Sequence, residues 1–285
     1  MSSSNEVFPV SFEVYPPRAP EHMDALLEAI DYLAKVNPDF ISVTFGAGGS
    51  TTRDSLAVLE YIENNTSTHP LAHLTCVGNS TEEATALVRS FVDAGITQFL
   101  ALRGDLPEDH SAGIGDLPHA EDLVRLLDGL SHTGSSIERI AVAAFPNGHP
   151  DSASQEDDIH VLLRKQEAGA TLAITQLFFE VEEYSNFVNA ARSAGVTMAI
   201  LPGIMPITSV GRLKRVLELT GEKAPDQLWQ ALEAQDDAAG QRRVGIEWAA
   251  NLTKDLRDAG APGIHLYAFN QHETVLSVLE QAGVR

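Results

Sequence analysis

Short apolar runs alternate with amphipathic stretches along all 285 residues of the chain. Eight runs, roughly 7–15, 40–45, 71–77, 96–103, 140–145, 172–179, 197–201 and 264–269, have the length and composition of buried strands. Helical patterns fill the intervals: Met23, Leu26, Leu27, Ile30 and Leu33 lie on one face, as do Ala84, Leu87, Val88 and Phe91. Ser80 with Glu83 predicts a capping box at a helix start. A weak repeat, Asp93-Ala94-Gly95, Glu167-Ala168-Gly169, Ser193-Ala194-Gly195 and Asp258-Ala259-Gly260, puts a glycine where a helix closes before the next strand.

Eight strands with intervening helices in this length predict one α/β domain over 1–285, a (β/α)8 TIM barrel, with a doubly wound open sheet as the alternative. The 208–260 interval is too long for one helix and predicts two or three extra helices between strands 7 and 8. In such a barrel, chemistry gathers at the C-terminal strand ends. The polar pairs Ser11 and Glu13, Ser42 and Thr44, and His73 and Thr75 are each two apart, so each pair shares a face, which predicts a lined cavity.

Composition narrows the function classes. Nineteen basic against forty acidic residues give a net charge of −21, which repels nucleic acid and anionic membranes. An anionic small ligand must therefore meet local cations or helix starts. The first residues, MSSSNEVFPV, hold no basic-then-apolar segment, and a cytoplasmic location is expected. The lone Cys76, in an apolar run, reads as a small core residue, and no metal cluster is expected.

In SFEVYPP, 11–17, Glu13 sits inside an apolar strand stopped by two prolines. Burial of an unpaired carboxylate is costly, so Glu13 is expected to hold its proton more tightly than usual and to serve as a general acid; a salt-bridged or half-exposed strand end is the competing reading. GAGGSTTRD, 46–54, lets backbone approach a ligand yet matches neither the Walker pattern nor the dinucleotide fingerprint. ALRGDLP, 101–107, places Arg103, Gly104 and Asp105 at a strand end, where a carboxylate can take two hydrogen bonds from an amidine-like ring edge or pair locally with the arginine. Gln176, in LAITQLFF, needs partners for a buried amide. His149, Asp158, Arg164 and Lys165 bracket the helix after strand five, and the two cations suit a pyrophosphate or a solvated face.

Taken together, SFEVYPP, ISVTFGAGGS, AHLTC, ALRGDLP, ITQLFF and LPGIMP resemble, in order and spacing, the methylenetetrahydrofolate reductases over nearly the whole chain. The resemblance implies reduction of 5,10-methylenetetrahydrofolate to 5-methyltetrahydrofolate with hydride from NADH or NADPH, usually through bound FAD. It implies Glu13 as the general acid, Asp105 as the pterin carboxylate, and Gln176 as an amide shared by folate and nicotinamide. It puts Thr44, Phe45, Ala47, His73, Arg103, Gly104, Asp105, Phe145, His149, Asp158, Arg164 and Lys165 at cofactor-contact positions. Val216 falls where a stacking aromatic is expected, and Gln271 where the family has a substrate-binding arginine.

Three hydrogen-bonding groups of bacterial members are absent at Phe45, Phe145 and Val161; at about 1 kcal/mol each their loss weakens flavin binding on the order of a hundredfold. Retained Arg164, Lys165 and His149 argue for FAD, and both a flavin-bound and a flavin-free, direct-transfer enzyme are carried forward. So is a homo-oligomer. The alternatives to a reductase are a non-catalytic pterin-binding barrel subunit and a barrel lyase or aldolase.

Overall fold

All strand pairings in the computed structural model, which describes residues 7–17, 19–44, 52–104 and 115–285, are parallel. The strands are β1 (Val10–Val14), β2 (Phe40–Val43), β3 (His69–Thr75), β4 (Gln98–Leu102), β5 (Arg139–Ala144), β6 (Leu172–Thr175), β7 (Ala199–Leu201), β8 (Gly203–Ile204) and β9 (Ile264–Tyr267). Their order is β7-β6-β5-β4-β3-β2-β1-β9-β8. Pro202 has no N–H to give a ladder and divides one strand into β7, which pairs with β6, and β8, which pairs with β9. The split strand thereby joins the two ends of the sheet into a (β/α)8-type barrel, as the run pattern predicts.

Helices cover the outside: α1 (Met23–Ala34), α2 (Thr52–Asn65), α3 (Thr81–Asp93), α4 (Ala120–His132), α5 (Gln155–Glu167) and α6 (Val181–Ser193) follow β1 to β6 in turn. The capping box is present, with Ser80 Oγ accepting from the Glu83 N–H at 3.2 Å and the Glu83 carboxylate accepting from the Ser80 N–H at 2.9 Å. Gly95, Gly169, Gly195 and Gly260 all take positive φ at helix ends, the conformation their repeat predicts. The 208–260 interval holds three helices, α7 (Val210–Thr220), α8 (Asp226–Glu233) and α9 (Ala238–Asp258); α10 (His272–Gln281) closes the fold. α9 lies close against the segment that leaves β8, because a Cβ at Gly245 would collide with the Ile207 carbonyl.

Period-two alternation sorts the strand residues. Phe12, Ile41, Val43, Leu74, Phe99 and Val142 face outward into the helix-covered core. Phe40, Leu71, Leu100, Ala141, Leu172, Ile174 and Leu201 face inward as a packed layer. Polar side chains interrupt that inner wall, and they define the site.

Candidate active site

Glu13 points into the barrel from β1, one residue before the strand ends. Parallel register places it beside Ser42 of β2 and Tyr267 of β9. Its Oε2 stands 3.5 Å from His73 Nε2 and 3.8 Å from His265 Nε2, while the Thr44 hydroxyl donates to Oε1 at 3.5 Å and to the Val14 carbonyl at 3.3 Å. Both histidines are buried, and their Nε2 atoms have no hydrogen-bond partner among the described residues. Two imidazoles and a hydroxyl thus converge on one partly exposed carboxylate.

This environment reverses the pKa expectation. Burial works to raise the Glu13 pKa, but the His265 imidazole facing the carboxylate, the charges of His73 and His265, and the Thr44 hydroxyl outweigh it and hold the carboxyl below its ordinary value. Burial drives the His73 pKa down, with Glu13 opposing that shift. Tyr267 is pushed up by burial and by Glu13, so its phenol stays protonated and donates to the Thr175 carbonyl at 2.8 Å across the barrel.

A cavity of about 810 Å³ opens beside Glu13, and Thr44 and His73 belong to its wall. Arg103 and Gly104 reach it from the end of β4, Phe145 from the end of β5, and Asp158, Val161, Leu162 and Lys165 from α5, where i, i+3, i+4 and i+7 spacing aligns them on one face. Asp158 fixes the loop before α5 by accepting from the His149 N–H at 3.0 Å and the Ser152 hydroxyl at 2.6 Å. Lys165 donates to the Ala143 carbonyl at 2.9 Å, and burial pulls its pKa down to about 8. Arg103 pairs with Asp151 at 3.2 Å, and Arg164 with Glu121 at 2.9 Å.

Nine of the expected positions, Thr44, His73, Arg103, Gly104, Phe145, His149, Asp158, Arg164 and Lys165, therefore line one cavity beside Glu13. Gln176 follows β6 at the same end, its Oε1 accepting from the Leu177 N–H at 2.9 Å and its Nε2 without a partner among the described residues. Phe45, Ala47 and Asp105 lie outside the described residues. Gln271 is exposed at the N-cap of α10, and its side chain makes no capping hydrogen bond there. Val216 is buried with Leu213, Leu228 and Leu232 between α7 and α8, so it packs the helix layer and is no stacking surface. Among the described residues there is no cluster of three metal-ligating side chains and no helix long and apolar enough to cross a membrane.

His265 and Tyr267 were not among the sequence candidates. Their signal was available: the run 264–269 carries them two apart, the same spacing that marks Ser11 with Glu13. Past the end of β9, Asn270 clasps the Tyr15 backbone, its Oδ1 accepting from the Tyr15 N–H at 3.1 Å and its Nδ2 donating to the Tyr15 carbonyl at 2.8 Å.

A barrel with an acid and two imidazoles on its inner wall, beside a cation-bearing cavity at the C-terminal strand ends, is the architecture of an enzyme that moves protons next to an extended ligand. The model of the methylenetetrahydrofolate reductase family matches residues 1–283. The chain belongs to that family. It is 35% identical over 277 residues to the 5,10-methylenetetrahydrofolate reductase of Escherichia coli K12, spanning 97% of this chain and 91% of that protein. It is 31% identical over 287 residues to methylenetetrahydrofolate reductase (NADH) 1 of Zea mays, spanning 96% of this chain and 48% of that longer protein. The fold is shared with a Clostridium thermocellum protein solved with two copies of 5-methyl-5,6,7,8-tetrahydrofolic acid, at a TM-score of 0.68 and 15% identity over 97% of this chain and 94% of that one.

Proposed function

We propose that this chain reduces 5,10-methylenetetrahydrofolate to 5-methyltetrahydrofolate, with NADH as the hydride source. The observation that carries the reading is the Glu13 carboxyl, set among His73, His265 and Thr44 on the inner wall where the large cavity begins. Glu13 protonates a ring nitrogen of the folate, the carbon–nitrogen bond breaks toward that nitrogen, and the exocyclic carbon becomes an iminium that accepts hydride. Gln176, with a free amide nitrogen, orients the pterin or the nicotinamide, and Asp105 holds the pterin edge. The naming of the maize relative supports NADH over NADPH.

The cavity wall matches FAD, the family's usual carrier, only in part. Arg103 and Arg164, the exposed cations that would meet phosphate, already have carboxylate partners, and Phe145 and Val161 present carbon to the cavity. We therefore favour direct transfer from a nicotinamide dinucleotide seated in this cavity. A flavin-bound reading has one observation in its favour: Lys165 keeps two ammonium protons beyond its bond to Ala143, beside Asp158. The visible spectrum of freshly purified protein separates the two, since oxidised flavin absorbs in the visible and nicotinamide does not. NADH oxidation that depends on methylenetetrahydrofolate, by a colourless protein, is the expected result. A yellow protein overturns the direct-transfer reading, and absence of folate-dependent oxidation overturns the reductase.

A further inference from the structure

The histidine that the reductase reading leaves without a task is His265, and its surroundings run away from the mouth. Its Nε2 faces Glu13 at 3.8 Å, and its Nδ1 lies 2.9 Å from Ser11 Oγ. Ser11 has one proton to give and two acceptors in reach, that Nδ1 and the Ile264 carbonyl at 3.1 Å. When Ser11 donates to Ile264, His265 must carry its proton on Nδ1. When Ser11 turns to Nδ1, the ring carries its proton on Nε2, toward Glu13. The hydroxyl orientation and the ring tautomer are therefore coupled, and a proton passed from Ser11 through the ring toward Glu13 leaves Nδ1 protonated and Ser11 turned to Ile264.

Ser11 lies one inward-facing position before Glu13 on β1, and it lines a second cavity of about 320 Å³ at the other end of the barrel. Pro9, Asp39, Arg139, Thr171 and Ala199 line this floor cavity, all from the N-terminal ends of the strands. Its rim is charged, with Arg139 donating to Asp39 at 2.8 and 3.3 Å. Along the inner wall, Ser42 Oγ, Gln98 Oε1, His73 Nε2 and His265 Nε2 are buried without hydrogen-bond partners among the described residues, the kind of atoms that ordered water serves. The groups facing His265 are Glu13 from β1, His73 from β3 and Tyr267 from β9; Phe40 stacks on its ring at 5.6 Å, with Arg139 of β5 over the Phe40 ring.

We propose that Ser11 and His265 form a proton inlet that recharges Glu13 from the floor cavity while folate and dinucleotide fill the mouth. The inference rests on the reductase reading. Reduction takes up one proton per turnover: the folate nitrogen keeps the proton that Glu13 gives, and the hydride completes the methyl group. Glu13, held as a carboxylate in the ligand-free protein, needs that proton after ligands have closed the mouth to water. The inlet supplies it in balance. A proton from floor water reaches Ser11 Oγ as Ser11 passes its own to His265 Nδ1, and Nε2–H passes to Glu13 as the carboxylate turns toward the ring; once product leaves and the mouth reopens, Nε2 takes a proton from water there and Nδ1 returns its proton to Ser11, which restores the starting tautomer. Ser11 and His265 are positioning residues, since they act through Glu13. Distances of 3.5 to 3.8 Å in a ligand-free site are of the kind that tighten once the reacting complex forms.

The test is Ser11→Ala beside Ser11→Thr, which restores a hydroxyl. Ser11→Ala should lower the maximal rate about tenfold or more with little change in KM for either substrate, because proton delivery is lost and ground-state contacts are not. Its solvent deuterium isotope effect should exceed that of the unaltered enzyme, formic acid should restore part of the rate, and Ser11→Thr should recover it. Ala199→Leu, which fills the floor cavity without touching the Glu13 cluster, should reproduce the slower rate and larger isotope effect, and it carries the test if Ser11→Ala does not fold. Normal rates with unchanged isotope effects in the folded variants overturn the inlet and leave the reductase standing. Loss of rate in Glu13→Gln alone does the same, whereas an unaltered protein that never reduces methylenetetrahydrofolate removes both.

Discussion

The floor and the mouth of this barrel are built from the same strands, two residues apart, with opposite chemistry. Beneath the mouth Phe40, Leu71, Leu100, Ala141, Leu172 and Leu201 pack together as an apolar layer. Toward the strand ends, Glu13, Thr44, His73, Thr75, Gln176 and Tyr267 take the inward positions, and His73 Nε2 is buried without a hydrogen-bond partner among the described residues. A barrel filled for stability alone has no reason to change composition at the level where its strands end. The apolar layer fixes the strand register, and that rigidity lets a carboxylate and two imidazoles be held close without collapsing into direct hydrogen bonds.

The contrast can be broken from either side, and the largest effect is expected at the mouth. Glu13→Gln keeps the shape and removes the proton, so turnover should fall by a factor on the order of 10² to 10⁴ with folate and nucleotide still bound and the melting temperature little changed. Equal losses of binding and turnover in titration and steady-state assays would mean the residue only holds the site together. Below the mouth, Leu71→Ala removes a fully buried side chain and should destabilise the protein by about 2–5 kcal/mol in chemical denaturation, while the folded fraction keeps its rate per site. A loss of activity without loss of stability would contradict the division of labour.

Lys165 sharpens the comparison because it belongs to the mouth yet acts against stability. Its folded pKa of about 8 lies below the 10.5 of a free lysine. Below about 8 the group is charged in both states and its burial cost is fully present. Between 8 and 10.5 the unfolded chain binds more protons, so stability rises with pH, and above 10.5 the cost is gone. Lys165→Met should therefore stabilise the protein near neutrality by up to about 3 kcal/mol, flatten stability between those pH values, and weaken dinucleotide binding. Denaturant midpoints across pH, with nucleotide titration, check all three.

Much of this was legible in the chain. Strand runs, capping box, glycine helix ends and the three helices after β8 follow from local rules, and the two-residue spacing of polar positions on β1, β2 and β3 marked the inner wall. What local rules miss is closure. β9 pairs with β1 across some 250 residues, so nothing near Glu13 in sequence announces His265 behind it. The sign of the Glu13 shift failed for the same reason: burial was readable from SFEVYPP, but the imidazoles that outweigh it arrive from distant strands. Arg103 with Asp151 and Arg164 with Glu121 likewise join residues 48 and 43 apart.

The most direct test of the proton-donor role is the pH dependence of kcat/KM for methylenetetrahydrofolate. With the Glu13 carboxyl held below its ordinary value, its protonated fraction shrinks as pH rises, so kcat/KM should fall through the neutral range, approaching tenfold per pH unit, and Glu13→Gln should erase that slope. A profile that stays level across the same range, or a slope that survives in Glu13→Gln, would contradict it.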